Sequence, residues 1–442
     1  MDRGCCNLRS SRGGPLRGTL TPPGDKSISH RALIFGSLAE GTTRIRHLLE
    51  GEDVLRTAAA FRAMGVSIES SAEGYTVQGV GLDGLHEPDD VLDLGNSGTG
   101  MRLLAGLLSS QPFLSVLTGD ASLRSRPMAR VIEPLSRMGA RILARDRGRK
   151  APLVIAGGEL IPIDYLAPVA SAQVKTALLL AGLNTAGETS VTEPIVTRDH
   201  TERLLAAFGA TVEVTATDRG QKVTVDGWPT LRGIDLQVPG DFSAAAFPMV
   251  AALLVPESEV LLTDVGINPT RTGLLTLLRQ MGADIEVVQE HRVGGEPVAD
   301  LRVRHSHLRG VTVPAELVPL AIDEFPVFFT AAALARGETI LTGASELRVK
   351  ESDRIAAMAD GLQRIGATVS ELPDGIRIVG NPSGLNGNAT VDSYTDHRIA
   401  MSLLVAGLVC REPVVVQRCD NIATSFPGFV AAMTGLGANL AS

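Results

Sequence analysis

The stretch Pro22-Pro23-Gly24-Asp25-Lys26-Ser27-Ile28-Ser29-His30-Arg31, which runs into the apolar segment 32–39, indicates how the chain is built. Two prolines and a glycine exclude a helix, and the small polar residues after them are typical of a helix start. A helix start has free N–H donors and a partial positive charge, so it attracts anions, and Lys26 and Arg31 would strengthen that attraction. Taken alone, the stretch is better explained as an ordinary capped helix with two solvated cations.

The interpretation changes because the arrangement recurs. A helix that ends in an apolar residue, followed by glycine and then alanine or valine, occurs six times. Glycine directly after a helix favours a left-handed C-cap, and repetition at a nearly constant spacing indicates a repeated structural unit. The six junctions are Met64-Gly65-Val66, Met138-Gly139-Ala140, Phe208-Gly209-Ala210, Met281-Gly282-Ala283, Ile365-Gly366-Ala367 and Leu436-Gly437-Ala438.

Each unit also has a polar start that leads into a helix rich in alanine and leucine. The unit reads helix, strand, loop, helix, strand, turn and strand, and its first helix, apolar on almost all sides, is expected in the interior. The six starts are Asp25-Lys26-Ser27, Asn96-Ser97-Gly98-Thr99, Ser171-Ala172-Gln173, Asp241-Phe242-Ser243, Asp323-Glu324-Phe325 and Tyr394-Thr395-Asp396.

Six such units are too small to be independent, so three plus three is the natural grouping. We predict one domain over residues 19–233, with units 1–3, and a second over residues 1–18 plus 234–442, with units 4–6. The two chain crossings, near 18–20 and 231–236, would form a hinge. The sequence indicates no role for residues 1–14, for which a disordered leader is one interpretation.

Composition narrows the class of protein. The chain has 442 residues, a net charge of −8 and no basic run, which argues against a nucleic-acid surface. The cysteines at 5, 6, 410 and 419 have neither zinc-ligand spacing nor the density of a disulfide framework, which fits a reducing compartment. Residues 1–14 have charges but no apolar core, so we expect no signal peptide, and no apolar run approaches membrane length. We therefore expect a cytoplasmic protein that contacts neither membrane nor nucleic acid.

Cations fall at the unit junctions. Each alone is better explained as a solvated charge or a helix-surface pair, but their recurrence favours a polyanion site between the two domains. Segment 96–100 would let backbone approach a ligand, Ser171 and Gln173 are neutral donors, and segment 350–354 is expected to open a helix. The junction cations are Lys26, Arg31, Arg126, Lys350, Arg354 and Arg398, and the carboxylates at the fifth start are Asp323 and Glu324.

The histidines indicate neither a metal site nor a catalytic triad. Alternation would place His305 and His307 on one face of a strand, a possible metal half-site, but no ligand partner is suggested nearby and an exposed strand face is the better interpretation. His30 and His200 have no serine or cysteine partner at a recognisable spacing, so no nucleophilic triad is indicated.

From about residue 15 to the C-terminus, six motifs resemble the 5-enolpyruvylshikimate-3-phosphate (EPSP) synthase family, in the right order. The resemblance implies an α/β fold: a two-domain inside-out α/β barrel of the enolpyruvyl transferase type, each domain made of three βαβαββ copies. The motifs are Pro23-Gly24-Asp25-Lys26-Ser27-Ile28-Ser29-His30-Arg31, Leu94-Gly95-Asn96-Ser97-Gly98-Thr99, Arg126-Pro127-Met128, Ser171-Ala172-Gln173-Val174-Lys175, Lys350-Glu351-Ser352-Asp353-Arg354 and Asp396-His397-Arg398.

The resemblance implies transfer of the enolpyruvyl group of phosphoenolpyruvate to the 5-hydroxyl of shikimate 3-phosphate, with release of phosphate, on the shikimate pathway to chorismate and the aromatic amino acids. It implies no metal and no cofactor, and a monomer is expected. Residues carried over for shikimate 3-phosphate are Lys26, Ser27, Arg31, Ser171, Ala172, Gln173, Arg198, Asp323 and Lys350. Residues carried over for phosphoenolpyruvate are Lys26, Gly98, Arg126, Gln173, Arg354 and Arg398.

The chemistry requires an acid and a base, because the methylene carbon of the donor gains a proton while the attacking hydroxyl loses one. Glu351 is the candidate for the methylene carbon and Asp323 for the hydroxyl, with Lys26 as a third catalytic residue. Which carboxylate serves the carbon is not decided by the sequence.

One position departs from the commoner family pattern: Thr424 stands where a lysine is usual, so one donor to the substrate phosphate is missing. Together with Thr197-Arg198-Asp199-His200-Thr201-Glu202, this resembles the branch called class II. Some members of that branch tolerate glyphosate, which occupies the phosphoenolpyruvate space. Gly98 leaves that space open, so we expect this chain to be a glyphosate target.

Three other functions are disfavoured. The related transferase that acts on UDP-N-acetylglucosamine has a cysteine in a mobile loop, and no cysteine lies between residues 7 and 409 here. RNA 3′-phosphate cyclases need ATP and an attacking histidine, which an acidic chain without a basic stripe does not suggest. Asp323 and Glu351 argue against a non-catalytic binding scaffold.

Overall fold

The computed structural model describes residues 6–442 and is rich in short strands. The strands are β1 Leu8–Ser11, β2 Arg17–Leu20, β3 Glu40–Arg46, β4 Ser67–Ser71, β5 Gly74–Val80, β6 Leu92–Asp93, β7 Leu114–Thr118, β8 Arg141–Ala144, β9 Lys150–Ala156, β10 Asp164–Leu166, β11 Glu188–Glu193, β12 Val212–Thr217, β13 Gly220–Asp226, β14 Asp235–Gln237, β15 Glu259–Gly266, β16 Asp284–Val293, β17 Glu296–Arg304, β18 Gly337–Leu341, β19 Thr368–Leu372, β20 Gly375–Gly380, β21 Ala389–Asp392, β22 Val414–Gln417 and β23 Asn439–Ala441.

Helices alternate with these strands. They are α1 Lys26–Leu38, α2 Glu52–Ala63, α3 Gly98–Ser109, α4 Ala121–Ser125, α5 Ala129–Arg137, α6 Arg145–Gly148, α7 Ala172–Leu183, α8 His200–Ala207, α9 Phe242–Leu254, α10 Gly273–Gln280, α11 Phe325–Leu334, α12 Arg354–Arg364, α13 His397–Gly407 and α14 Phe429–Gly435. Short 3₁₀ segments cover Ala315–Leu317, Ser345–Val349 and Cys419–Thr424.

The chain forms two compact units. Domain A comprises Gly24–Val238 and Val293–Glu296, and domain B comprises the described residues up to Pro23, Pro239–Arg292 and Pro297–Ser442. The chain thus passes between them at 23/24 and 238/239 rather than at the predicted 18/19 and 233/234. The reason is strand pairing, because β2 continues to Leu20 in a domain B sheet and β14 continues to Gln237 in a domain A sheet. The positions predicted as a hinge fall in or beside these two paired strands.

Domain A contains three four-stranded sheets, ordered β14-β3-β5-β4, β6-β7-β9-β8 and β10-β11-β13-β12. In each sheet the first pair is parallel and the others are antiparallel. The same pattern three times over confirms the predicted unit. The first sheet is completed by β14, which follows the third unit in the chain, so the three units close on one another.

Domain B repeats the pattern with strands from distant parts of the chain. Its sheets are ordered β16-β17-β15-β2, β18-β20-β19 and β21-β22-β1-β23. β2 pairs with β15 in parallel, and β1 lies between β22 and β23, antiparallel to both. The interpretation of residues 1–14 as a disordered leader is therefore wrong for 8–11, which form an inner strand; residues 1–5, including Cys5, lie outside the described part of the chain.

The first helix of every unit is interior, as predicted. α9 is buried at every position from Phe242 to Leu253, and α1, α3, α7, α11 and α13 are buried along most of their length. All six begin at the predicted polar starts. The glycines of the six predicted junctions have positive φ between 91° and 102°, a region that favours glycine, and each follows a helix end.

Each domain has its own apolar core, built on its three interior helices. In the described residues, no helix is both long and apolar enough to span a membrane. Cys6, Cys410 and Cys419 are free thiols, and burial raises the pKa of Cys410 and of Cys419 to about 12.

Candidate active site

The start of α1 in domain A is shaped by a turn that only glycine fits. A Cβ on Gly24 would lie 1.9 Å from the carbonyl oxygen of His47, so any side chain there would displace the backbone. Asp25 then caps the helix, because its carboxylate accepts a hydrogen bond from the N–H of Ile28 at 2.9 Å. This explains why the Pro-Gly-Asp sequence leads directly into a helix.

Lys26 is the first residue of α1 and forms an ion pair with Asp53 on α2. The side chain of Lys26 is 17% exposed and that of Asp53 is 7% exposed, so water screens the pair poorly. Ser27 is half-buried beside it. The pair holds an ammonium group at the positive end of a helix, where a bound anion would be stabilised.

Arg31 lies one turn further along α1 and is buried. Its guanidinium donates to Oγ1 of Thr201 at 2.8 Å, to Oγ1 of Thr176 at 2.9 Å and to the carbonyl oxygen of Ser27 at 2.9 Å. Burial lowers the pKa of Arg31 to about 10, and no carboxylate of the described residues forms an ion pair with it. Its charge is thus held in place by neutral groups.

The second start brings Gly98 close to two arginines. A Cβ on Gly98 would lie 2.9 Å from Nη1 of Arg102 and 3.0 Å from Nη1 of Arg126. Arg126, which could have been a solvated loop residue, is only 7% exposed and donates to the side chains of Asn96 and Ser122. The absence of a side chain at Gly98 therefore lets both guanidinium groups approach the backbone at the start of α3.

The side chain of Gln173 connects the start of α7, the third polar start, with the start of α3, the second. Its Oε1 accepts a hydrogen bond from Nη1 of Arg102 at 2.8 Å, and its Nε2 donates to Oγ1 of Thr99 at 3.0 Å. Ser171 caps α7 and Ala172 is its first residue. Together with the hydrogen bond from Arg31 to Thr176, these contacts connect the starts of α1, α3 and α7, and they use Arg102 and Thr176, which the sequence did not indicate.

Behind the third start lies a fully buried ion triad. The ammonium of Lys175 lies 2.8 Å from Glu193 Oε2 and 2.7 Å from Glu202 Oε1. Burial disfavours the charged amine, but the two carboxylates outweigh it and raise the pKa of Lys175. Arg198 is half-buried in the loop between Glu193 and α8. The triad fixes this loop against α7.

Domain B gathers its cations around one carboxylate. Oδ1 of Asp323 lies 3.3 Å from Nη1 of Arg354 and 3.8 Å from Nζ of Lys350, and Oδ2 lies 4.0 Å from Nη2 of Arg398. Arg398 also donates to the carbonyl oxygen of Asp323 at 2.9 Å. Burial lowers the pKa of Lys350, against the opposing effect of Asp323. This group therefore contains three of the predicted cations together with Asp323, the residue predicted as the base.

Arg354 is the centre of a second set of contacts. Its Nη2 lies 2.5 Å from Glu351 Oε2 and its Nε lies 2.9 Å from Asp396 Oδ2. Burial disfavours its charge, but Asp396, Glu351 and Asp323 outweigh this and raise the pKa of Arg354. Segment 350–352 precedes the helix instead of opening it, because Asp353 caps α12 and Arg354 is its first residue.

A buried arginine at the fourth start was not predicted. Nη2 of Arg271 lies 3.2 Å from Asp241 Oδ1 and donates to Oγ of Ser243 at 2.8 Å. Ser243 also donates to Glu324, so the fourth and fifth starts are connected as α3 and α7 are in domain A. The sequence signal for Arg271 is weak, since it follows a strand and loop rather than a helix start.

One cluster could in principle hold a metal ion. Ligand atoms of Asp199, His200 and Glu296 lie within 4.8 Å of one another in domain A. His200 Nδ1 is 2.7 Å from Glu296 Oε1, and Arg203 pairs with Asp199 at 2.8 Å and lies 3.9 Å from Glu296. These polar atoms already satisfy one another, so the cluster is explained as a buried ion network.

The pair His305 and His307 is not on a strand face. β17 ends at Arg304, and the two rings lie in the following segment with centroids 5.2 Å apart. The prediction of a strand over this segment was wrong, because the chain leaves the sheet to reach the next unit.

The residues that the sequence selected thus form one group in each domain, at helix starts or in the loops beside them. Residues in these groups that it did not select are Arg102, Asp53 and Arg271; Lys175 and Asp396 were quoted in motifs without a role. The group in domain A is Lys26, Ser27, Arg31, Gly98, Arg126, Ser171, Ala172, Gln173 and Arg198. The group in domain B is Asp323, Lys350, Glu351, Arg354 and Arg398.

Comparison with known proteins shows the family to which the chain belongs. The family model of EPSP synthase (3-phosphoshikimate 1-carboxyvinyltransferase) matches residues 11–433. A 3-phosphoshikimate 1-carboxyvinyltransferase from Magnetococcus marinus is 64% identical over 434 residues, 98% of this chain and 97% of that protein. The structure of EPSP synthase from Acinetobacter baumannii has 49% identity and a TM-score of 0.86, covering 99% of this chain and 100% of that one.

A more distant structure shows the fold alone. The enolpyruvyl transferase NikO from Streptomyces tendae has 18% identity and a TM-score of 0.77, covering 98% of both chains. The three βαβαββ units of each domain and the cation groups at their helix starts thus define an enolpyruvyl transferase. Within that class, the chain belongs to the EPSP synthase family.

Proposed function

We propose that the two groups of residues bind the two substrates of the reaction that the family carries out. The chain is a 3-phosphoshikimate 1-carboxyvinyltransferase, which transfers the enolpyruvyl group of phosphoenolpyruvate to shikimate 3-phosphate in the shikimate pathway and releases phosphate. The observation that carries the assignment of residues is the set of cations at the helix starts, because both substrates bear a phosphate and a carboxylate.

Shikimate 3-phosphate is assigned mainly to domain A. Lys26 and Ser27 lie at the positive end of α1, and Ser171, Ala172 and Gln173 lie at the positive end of α7. Arg31 and Arg198 add charge to the same group, and the buried guanidinium of Arg31 has no carboxylate partner among the described residues. Asp323 and Lys350 of domain B are assigned to the ring hydroxyls.

Phosphoenolpyruvate is assigned to Arg126 with the backbone at Gly98, and to Arg354 and Arg398. Three features support this: Gly98 has no side chain, Arg126 is held by Asn96 and Ser122, and Arg354 is held by Asp396. Fixed guanidinium groups bind phosphate and carboxylate with little reorganisation, which favours the developing charges of a transition state. The same assignment includes Lys26 and Gln173.

The carboxylates supply the proton movements. The hydroxyl oxygen bonds to the central carbon of phosphoenolpyruvate while its proton passes to Asp323, and the methylene carbon takes a proton from Glu351. The tetrahedral adduct then loses phosphate as its carbon–oxygen bond breaks, and Asp323 gives its proton to the departing phosphate. The new methyl group returns a proton to Glu351 as the double bond forms again. Asp323 suits the base role because three cations favour its ionised form.

Several finer features belong to the proposal. We place the chain in the class II branch because Thr424 is buried and its hydroxyl donates to the carbonyl oxygen of Asn421 at 2.7 Å, where other members have lysine. We also propose that it acts as a monomer in the cytoplasm and that glyphosate inhibits it, since Gly98 places no side chain beside Arg126.

Phosphate release tests the function directly. Purified enzyme is incubated with phosphoenolpyruvate, with and without shikimate 3-phosphate, and free phosphate is measured. Release only when both substrates are present is expected. Release from phosphoenolpyruvate alone would indicate a phosphatase, and no release with both substrates would contradict the proposal.

A further inference from the structure

A cavity lies in domain B, at the C-terminal ends of its interior helices. It has a volume of about 590 Å³, and it is lined by Leu254 and Leu334, the last residues of α9 and α11, and by Val409, just after α13. In domain B, the residues proposed for substrate binding lie at or just before the N-terminal ends of α11, α12 and α13. Helices of 10–13 residues separate the two ends by roughly 15–20 Å.

The lining of this cavity is strongly cationic. It contains no aspartate and no glutamate, although the chain as a whole carries a net charge of −8. Its remaining lining residues are apolar, serine or glycine. We name this cavity the arginine pocket. Its cationic and titratable lining residues are Arg12, Arg309, Arg336, Arg411, His305 and His307.

Among the residues that the structure describes, the four arginines of the pocket have no partner for their charge. None of the four guanidinium groups forms an ion pair or donates a hydrogen bond to another described residue. All four arginines are exposed to solvent. Six other arginines of domain B are paired with carboxylates, whereas the exposed Arg9, Arg17 and Arg279 form no ion pair with a described residue. The six paired arginines are Arg302, Arg304, Arg348, Arg364, Arg377 and Arg418.

The C-terminal ends of the three helices carry partial negative charges, and these balance only part of the positive charge of the four arginines. Three C-terminal ends contribute at most about −1.5 elementary charges, against four guanidinium groups. Carbonyl groups near these ends already accept backbone hydrogen bonds, from the N–H of Ser306 to Leu253 at 3.0 Å and from the N–H of Asn381 to Ala333 at 2.9 Å. The pocket therefore keeps an excess positive charge, directed into a concave space.

We propose that the arginine pocket binds a small organic polyphosphate, that is, a metabolite with two or more phosphate groups, separately from the active site. Guanidinium groups bind phosphate oxygens in pairs, and four of them match several negative charges rather than one. The cavity volume lies in the range of small-molecule sites and exceeds what a single phosphate ion would fill. Apolar residues such as Leu254 and Leu334 would contact the organic part.

Calorimetric titration with tripolyphosphate tests this in the full-length protein. The variant Arg336→Gln/Arg411→Gln is expected to bind roughly tenfold more weakly, or worse, than the wild type at low salt. The matched control Arg364→Gln/Arg377→Gln removes the same charge from exposed, paired arginines and should stay within about twofold. Arg126→Gln, in the proposed active site, should leave the titration unchanged, and the readout does not depend on turnover.

Three results would overturn the proposal. The pocket is not the site if the double variant binds tripolyphosphate like the wild type, or if Arg126→Gln alone abolishes binding. The polyphosphate class is wrong if inorganic phosphate binds the pocket as tightly as tripolyphosphate. If circular dichroism shows that the double variant is unfolded, Arg12→Gln and Arg309→Gln take its place, and each should weaken binding about threefold or more.

Discussion

Asp323 Oδ1 and Arg354 Nη1 lie 3.3 Å apart, and the same guanidinium lies 2.5 Å from Glu351. The two carboxylates to which we assign the proton movements therefore share one buried arginine, which Asp396 holds from a third side. Their positions are set by a group that cannot rotate freely without breaking several charge-assisted hydrogen bonds. This makes the proton carriers rigid, as general acid–base catalysis requires.

Replacing either carboxylate should affect chemistry more than binding. We expect Asp323→Asn and Glu351→Gln to lower kcat by roughly 10²- to 10⁴-fold, with much smaller changes in KM, because the general acid or base is lost while the cations remain. Steady-state phosphate release measures this, and Glu316→Gln, at an exposed 3₁₀ residue, is the control. An unchanged kcat would refute the assignment.

A methyl group at Gly98 should act on one substrate selectively. In Gly98→Ala the new Cβ would press on Nη1 of Arg102 and Arg126, at 2.9 and 3.0 Å, and narrow the space beside Arg126. We expect KM for phosphoenolpyruvate and the inhibition constant of glyphosate to rise, with little change in KM for shikimate 3-phosphate. In Gly435→Ala, where a Cβ meets nothing within 4 Å, neither should change. For the wild type, a glyphosate inhibition constant no tighter than millimolar would contradict the prediction of sensitivity.

Loss of the buried ammonium should destabilise domain A. Lys175→Met leaves Glu193 and Glu202 without their counter-ion in a fully buried position, which costs about 3–5 kcal/mol. Lys222→Met breaks a solvent-exposed pair with Asp164 and should cost less than about 1 kcal/mol. Urea denaturation of both variants gives the comparison. Equal losses would mean that the triad contributes no more than a surface pair.

His30 should make stability depend on pH. Its burial, and the nearby charges of Lys26 and Arg31, hold the pKa of His30 well below 6.5, whereas in the unfolded chain it titrates near 6.5. Below that pH the unfolded chain binds more protons, so the free energy of unfolding falls as the pH is lowered. One such group removes about 1.4 kcal/mol between pH 7.5 and 5.5.

The corresponding measurement compares the wild type with His30→Gln at both pH values. The variant should lose less stability on acidification, by about that amount. His86→Gln, at an exposed position, controls for the substitution itself. If both variants follow the wild-type curve, His30 is not the group responsible.

Removal of β1 should damage domain B. Deletion of residues 1–11 takes an inner strand from the sheet β21-β22-β1-β23 and leaves β22 and β23 without a partner between them. We expect a clearly lower melting temperature or loss of folded protein. Deletion of residues 1–5 spares the strand and should leave the melting temperature unchanged. Equal behaviour of the two truncations would show that β1 contributes little.

The sequence predicted what depends on local chemistry. The six polar helix starts and the six glycine C-caps are short-range signals, and all twelve lie where they were expected. Long-range pairing carried no such signal: β1 could not be recognised because its partners lie at the opposite end of the chain, as in the pair Leu8 and Val416. The contacts of Arg102 and Arg271 were missed for the same reason, since each depends on how neighbouring units pack.

The partnership between the two termini has a consequence for biosynthesis. Leu8 is made early, yet its partner Val416 is made about 400 residues later. At about 5–20 residues per second, the N-terminal strand waits roughly 20–80 s for its place in the sheet. Domain B can therefore reach its final form only after β22 and β23 have been made, whereas the strands of domain A up to β14 are all available much sooner.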